Sequence, residues 1–301
     1  MPEASVMLRR LERLRQHQKD GRRAPHKPLL LLLALGRFAR YGTSALPWSE
    51  AESLLGDLLA EYGPASRTSR RQGAAYPFTR LRSDGIWVLD RDVPMDLVRP
   101  LVEERVVGSL VPALERAFRD DPGLVKSVAR TLVESHFPDT VAADVLVAVG
   151  LDPDEVRHSG EVIPEPDGDA RRRDPKWPSA VLRAWDCQCA FCGFDGQLGN
   201  WPVGIEAAHV RWFKHGGPDD LDNGLALCVL HHKLFDRGAL GLTKDLRIQV
   251  SASFTTRTEA GRILYRLHGR PLRPRPGTAV PAAQHVAWHQ SEVFRGVALQ
   301  T

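Results

Sequence analysis

The chain has 301 residues, 43% of them hydrophobic, and a formal net charge of +4. That length suits about two domains with real cores, and no run of 18 apolar residues is present to cross a bilayer as a helix. The longest apolar run, residues 29–35, follows an arginine-loaded stretch with no cleavage-like site, so no export signal is read; four cysteines at metal-binding spacings then argue for a reducing cytoplasm, away from membranes.

Charge is unevenly spread. Residues 1–82 hold 15 Lys/Arg against 7 Asp/Glu, whereas residues 83–158 hold 8 against 15. Basic surface gathered in one part of a domain suits a polyphosphate partner. Arginine supplies 34 of the 41 basic residues in a chain also rich in Ala, Gly and Pro, so the count alone says little.

Residues 4–20 read as an amphipathic helix with Met7, Leu11 and Leu14 on one side. A rigid polar turn (GRRAPHKP, 21–28) then delivers arginines onto the start of a buried helix over 29–42, with Pro28 in its first turn. The free amides of such a helix start attract anions. Ser49-x-x-Glu52 is a capping-box pattern opening a helix over 49–63. Residues 64–75 read as a mobile basic loop, and Ser83-Asp84-Gly85 between two β-prone runs (76–89) predicts a hairpin. Helices are expected near 97–119, 121–135 and 138–150.

From 152 to 178 the composition shifts to Pro, Gly, Asp, Glu and Arg, the mark of a linker. The predicted division is a domain over 1–158, a linker over 159–176 and a second domain over 177–301. The second begins with a short helix over 177–185.

Residues 186–238 carry all four cysteines and four of the eleven histidines. Cys189-x-x-Cys192 and Cys228-x-x-His231, separated by 35 residues, are two knuckles of the kind that close a tetrahedral zinc site. His232 competes with His231 for the fourth place. Cys187, two residues from Cys189, is poorly spaced for a knuckle and reads as a small core residue. Residues 203–210 and 224–228 suit paired strands, and 231–237 suits a short helix ended by Gly238. Adjacent His231 and His232 point about 100° apart on that helix, so one can close the metal site while the other faces the strands. Beyond it, 240–250 and 261–268 read as strands, 271–281 as an extended arm and 283–294 as a closing helix. Residues 262–291 hold five arginines and no acid, a second phosphate-facing candidate. The fold class expected is α+β: a mainly helical N-terminal recognition domain with a small β-hairpin, joined to a zinc-stabilised strand–strand–helix domain.

His209, Asn223 and His232, threaded in that order through the zinc frame, resemble the HNH nuclease family and its ββα-metal core. The block looks most like that of McrA-type restriction endonucleases. The stretches RRAPHKPLLLLLAL (22–35) and YPFTRLRSDGIWVL (76–89) resemble the sulfur-binding domain of phosphorothioate-dependent members, which recognise DNA carrying sulfur in place of a non-bridging phosphate oxygen and cut nearby. The resemblance implies a type IV, modification-dependent endonuclease acting on double-stranded phosphorothioated DNA, and a homodimer is compatible with it. It implies structural Zn²⁺ on Cys189, Cys192, Cys228 and His231. It also implies His209 as general base, Asn223 as the group orienting the His209 strand or loop, and His232 as a ligand of catalytic Mg²⁺ or Mn²⁺. Many HNH nucleases place an acid just before the base histidine; here that residue is Ala208, and alternation sends Glu206 to the opposite strand face. The sulfur pocket is expected from Arg22, Arg23, His26, Tyr76 and Pro77. Two other readings fit less well: an HNH nuclease sensing a modified base such as methylcytosine, which needs a cavity of aromatic stackers, and a non-catalytic zinc regulator, which needs no His/Asn/His trio.

Overall fold

Seven consecutive apolar residues cannot form a one-sided stripe, so a helix containing them must be enclosed on all sides. Helix α1 (His26–Tyr41) meets that requirement, with residues 29–35 no more than 7% exposed. A computed structural model of the chain describes residues 25–64, 66, 68–159 and 173–300. The helix expected over 4–20, Arg22, Arg23 and most of the expected linker lie outside the described residues. The chain divides into two compact units, Met1–Gly168 and Asp169–Thr301.

In the first unit, α1 packs against α2 (Trp48–Tyr62), α3 (Arg70–Arg80) and α6 (Gly123–His136). A three-stranded antiparallel sheet in the order β1-β3-β2 flanks them, built from Leu46–Pro47, Val107–Leu110 and Trp87–Leu89. Short helices α4 (Val98–Glu103), α5 (Pro112–Asp120), α7 (Asp139–Ala148) and α8 (Pro153–Arg157) complete the unit.

The structure departs from several local expectations. Residues 70–80 are helical rather than loop and strand: Ser69 caps α3 by accepting from the Gln72 amide at 3.3 Å, and the helix continues through buried Pro77. Ser83-Asp84-Gly85 ends a 3₁₀ turn, and Trp87–Leu89 pairs instead with Val107–Leu110. The helix expected over 97–119 is interrupted, because Arg105 takes a left-handed φ of +52° and a β-prone Val106-Val107 follows. Pro112 then restarts a helix at its first position. Ser49 is not a cap: α2 starts one residue earlier, at Trp48, and Glu52 pairs with Arg71 at 2.9 Å.

In the second unit, α9 (Trp177–Ala184) lies on an antiparallel pair, β6 (Ile205–His209) and β7 (Gly224–Cys228). The chain turns from β7 directly into α10 (Val229–Asp236), giving the strand–strand–helix order. A small hairpin of β4 (Gln197–Leu198) and β5 (Trp201–Pro202) precedes β6. A second hairpin of β8 (Leu240–Leu242) and β9 (Ile248–Val250) follows α10. Residues 261–268 are not a strand. Thr258 caps α11 (Glu259–Arg262) by accepting from the Gly261 amide, and the turn continues as 3₁₀ helix through Leu267. The closing helix is α12 (Ala283–Glu292). The fold class is α+β, mostly helical in the first unit and ββα at the centre of the second. No helix among the described residues is long and apolar enough to cross a membrane.

Candidate functional site

The first knuckle is pinned by backbone bonds. Cys189 donates its amide to Phe194 O at 2.8 Å, Gly193 donates to Cys189 O at 2.8 Å, and Ala190 donates to Ala226 O on β7 at 2.8 Å. The second knuckle straddles the start of α10, with Cys228 at its N-cap and His231 in its first turn. The ligand atoms of Cys189, Cys192, Cys228 and His231 all lie within 4.8 Å of one another, and His231 Nδ1 is 3.3 Å from Cys189 Sγ and 3.2 Å from Cys228 Sγ. Tetrahedral zinc with bonds near 2.3 Å sets ligand separations of about 3.8 Å, so this donor set fits a metal ion. Polar contacts from Cys192, Cys228 and His231 push the Cys189 thiol far below its ordinary pKa, while contacts with Cys189 and Cys192 push the Cys228 thiol up, so without a cation the pair holds its negative charge on Cys189. A metal ion would bring both to the thiolate a ligand needs. Cys187 stands outside the cluster, half-buried, at a φ of +52°.

The other histidine of α10 faces elsewhere. His232 Nδ1 is 2.7 Å from Glu206 Oε2, and its Nε2 is 3.2 Å from Asp236 Oδ2 one turn along the helix. Burial alone would lower its pKa, but Asp236 and Glu206 outweigh that and hold it up at about 10. Asp236 is itself buried and accepts from Trp212 Nε1 at 2.8 Å. Its charge also acts weakly on His209, against the effect of burial there.

His209 ends β6. Its register partner is Gly224, where a Cβ would lie 2.6 Å from Val181 and 3.2 Å from Trp177. The missing side chain lets α9 approach, and Trp177 stacks on the imidazole at 3.7 Å. His209 Nε2 is 2.7 Å from Asp219 Oδ1. Burial lowers its pKa, against the opposing pull of Asp219. Asn223 is fully buried: Oδ1 accepts from the Arg211 amide at 2.8 Å, and Nδ2 donates to Arg211 O at 3.0 Å and Pro218 O at 2.9 Å. Those bonds fasten the loop that presents Asp219 to His209. Trp177, Asp219 and Asp236 were not singled out by the sequence reading. Asp236 had a signal, since it stands four residues after His232 on a helix; Asp219 lies in an aperiodic loop and had none.

In the first unit, His26 opens α1 and Tyr76 lies half-buried on α3. They meet through Arg80, whose guanidinium sits 4.7 Å from the Tyr76 ring centroid; its charge, after burial, lowers the His26 pKa. Asp96 holds Arg80 in a two-point pair at 2.8 and 2.6 Å. Pro77 is buried beside Tyr76, and the neighbour of His26, Lys27, pairs with Asp84. The extended conformation expected over 76–81 hides Arg80, because only a helix gives it one-turn spacing from Tyr76.

An α+β chain with a helical, arginine-presenting unit and a ββα unit bearing a Cys₃His cluster is the architecture of an HNH-type protein fused to a recognition domain. Residues 189–243 match the HNH endonuclease family model, and residues 4–154 match the ScoMcrA-like DNA sulfur-binding domain. The latter spans half of the chain, which belongs to the ScoMcrA-like sulfur-binding-domain family. Among solved structures, the sulfur-binding domain of SprMcrA complexed with phosphorothioated DNA is similar at 28% identity over 50% of this chain and 96% of that one, with a TM-score of 0.40. The equivalent ScoMcrA domain is similar at 22% identity over 45% and 97%, with a TM-score of 0.37. The modification-dependent TagI restriction endonuclease is similar at 30% identity over 41% of this chain, with a TM-score of 0.33, and the match spans 39% of its own length. No curated protein matches the chain.

Proposed function

We propose that the protein is a modification-dependent restriction endonuclease that recognises phosphorothioated double-stranded DNA and hydrolyses nearby phosphodiester bonds. The observation that carries this reading is the union, in one chain, of a sulfur-binding-family domain with an HNH domain whose proposed base histidine is half-buried, paired and lowered in pKa. The domain over 1–158 recognises, the segment 159–176 links, and the domain over 177–301 cuts.

In the first domain, half-buried Tyr76 supplies an apolar ring, backed by buried Pro77. Sulfur is larger and less strongly hydrated than oxygen, so setting it against apolar atoms costs much less than setting phosphate oxygen there. Arg22, Arg23, His26 and Arg80 hold the remaining oxygens and neighbouring phosphates, giving affinity without selectivity.

In the second domain, Zn²⁺ on Cys189, Cys192, Cys228 and His231 fixes the knuckles to the ββα core. His209 donates Nε2–H to Asp219, leaving Nδ1 to take the proton of the attacking water. A neutral imidazole near pH 7 suits that task, and burial keeps it neutral. Asn223 holds the Asp219 loop in place. His232 Nε2 and Asp236 are the groups to hold Mg²⁺ or Mn²⁺, with Glu206 orienting His232 from its other nitrogen. When bound, the cation offsets charge on the leaving oxygen. Asp236 thus supplies the acid that Ala208 does not.

The recognition half is tested by binding. Full-length His209→Ala protein, which leaves DNA intact, is titrated with matched phosphorothioated, cytosine-methylated and plain duplexes at fixed salt. Preference for the phosphorothioated duplex is expected; equal binding to all three overturns the sulfur reading, and preference for the methylated duplex replaces it with the modified-base reading.

A further inference from the structure

The second unit carries a surface that neither the cysteine cluster nor the histidine pair uses. Residues 196–204 (GQLGNWPVG) contain no charged side chain. They form the β4–β5 hairpin, with Leu198 opposite Trp201 and a two-residue Gly199-Asn200 turn. Gly199 has a φ of +61°, the left-handed conformation such turns require.

What the hairpin displays is apolar. Leu198 and Trp201 are 76% and 78% exposed, and Phe194, Val203, Val229 and Leu230 are each about half exposed. The backbone ties their segments together: the Phe194 ring lies against Gly196 and Gly204, Val203 donates to Gly196 O at 2.8 Å, and Val229 donates to Gly204 O at 3.1 Å. Exposed apolar side chains gathered on neighbouring segments mark a contact surface. It also borders the candidate catalytic groups. Val229 precedes His232 by one helical turn and shares its face, and Glu206, two residues beyond Gly204, bonds His232.

We infer that this hairpin enters a groove of the bound duplex and that Trp201 and Leu198 wedge a base step beside the phosphate to be cut. The inference rests on the nuclease reading above. Apolar wedges unstack and kink DNA at such steps. At the tip beside the wedge stands the exposed amide of Asn200, which can donate to and accept from base edges. With no lysine or arginine the hairpin brings no positive charge to a phosphate, and with no acid it has nothing to repel one. Its apolar tip addresses base faces rather than the charged backbone. A second copy of this chain is the competing occupant, but the exposed Asn200 amide at the tip and the neighbouring candidate catalytic groups suit DNA better than an apolar partner.

The test uses full-length His209→Ala protein and phosphorothioated duplexes carrying 2-aminopurine at successive positions outward from the modification. A several-fold rise in emission is expected at one or two neighbouring positions. Trp201→Ala should abolish the rise while the duplex stays bound through the N-terminal domain, and Trp201→Phe should retain it. In otherwise wild-type protein, Trp201→Ala should slow cleavage by about tenfold, as misplacement of a reacting bond does. The proposal is overturned if emission rises equally without Trp201, or if no position responds in its presence. Sedimentation showing a wild-type dimer that Trp201→Ala dissociates would assign the patch to a second copy. A wild-type chain that cuts phosphorothioated DNA no faster than its Trp201→Ala variant removes the hairpin claim alone. One that cuts no duplex with any divalent ion removes the nuclease reading and the hairpin with it.

Discussion

The Trp177 indole lies flat on the His209 imidazole, with ring centroids 3.7 Å apart and planes 14° from parallel. One face of the imidazole is thereby shut off from water while Asp219 fixes its edge. Replacing Trp177 with alanine should uncover the ring and raise the His209 pKa, because burial is what lowers it. The acid limb of the cleavage pH–rate profile should move to higher pH, with a rate loss of roughly tenfold at neutral pH. An unmoved limb would show that the stack is packing alone.

His209→Ala should lower the cleavage rate by about 10²–10⁴-fold, the usual worth of a general base, and leave duplex affinity nearly unchanged. Single-turnover rates at saturating protein, set beside binding curves, separate the two effects. Full activity in this variant would refute the assignment.

His232 sits between two carboxylates that hold its pKa at about 10. Without a cation, its protonated form stabilises the fold fully below its unfolded pKa near 6.5. That contribution is lost as pH rises through about 10. A cation on Nε2 must displace the proton, so Mn²⁺ affinity should strengthen as pH rises from 6.5 to 8.5. Calorimetry at the two pH values measures it, and pH-independent binding would rule out His232 as a ligand.

Elemental analysis should find one zinc per chain, and Cys192→Ala should lose it with a clear drop in the unfolding temperature of the second unit. A Cys192→Ala protein that stays folded and active would remove the structural-zinc claim.

Arg80→Ala should weaken binding to modified and plain duplexes alike and flatten the salt dependence by about one unit of slope. Tyr76→Ala should instead erase the preference for sulfur. If both variants lose the same property, affinity and selectivity are not carried by separate groups.

The cysteine cluster was legible in the sequence because knuckle spacing is a local signal: two ligands three apart reach one ion whatever surrounds them. The burial of α1 was legible for a similar reason, since seven apolar residues in a row admit one outcome. The 76–89 segment was misread because Pro77 and Ser83-Asp84-Gly85 are strong local turn signals, while the Ser69 cap and the pairing of Trp87 with Leu110 are a distant cap and a tertiary contact. Residues 97–119 hid β3 in a run whose strand character depends on partners on either side. In the candidate site, Asp219 reaches His209 through a loop clamped by Asn223, and Trp177 arrives from a helix about thirty residues upstream, past a glycine. Neither relationship has a period or spacing to betray it.

The most direct measurement is cleavage by the full-length protein of three matched duplexes, phosphorothioated, cytosine-methylated and plain, with Mg²⁺ or Mn²⁺. The account predicts cutting near the modification in the phosphorothioated duplex alone. Equal cutting of the plain duplex, or cutting confined to the methylated one, would contradict it.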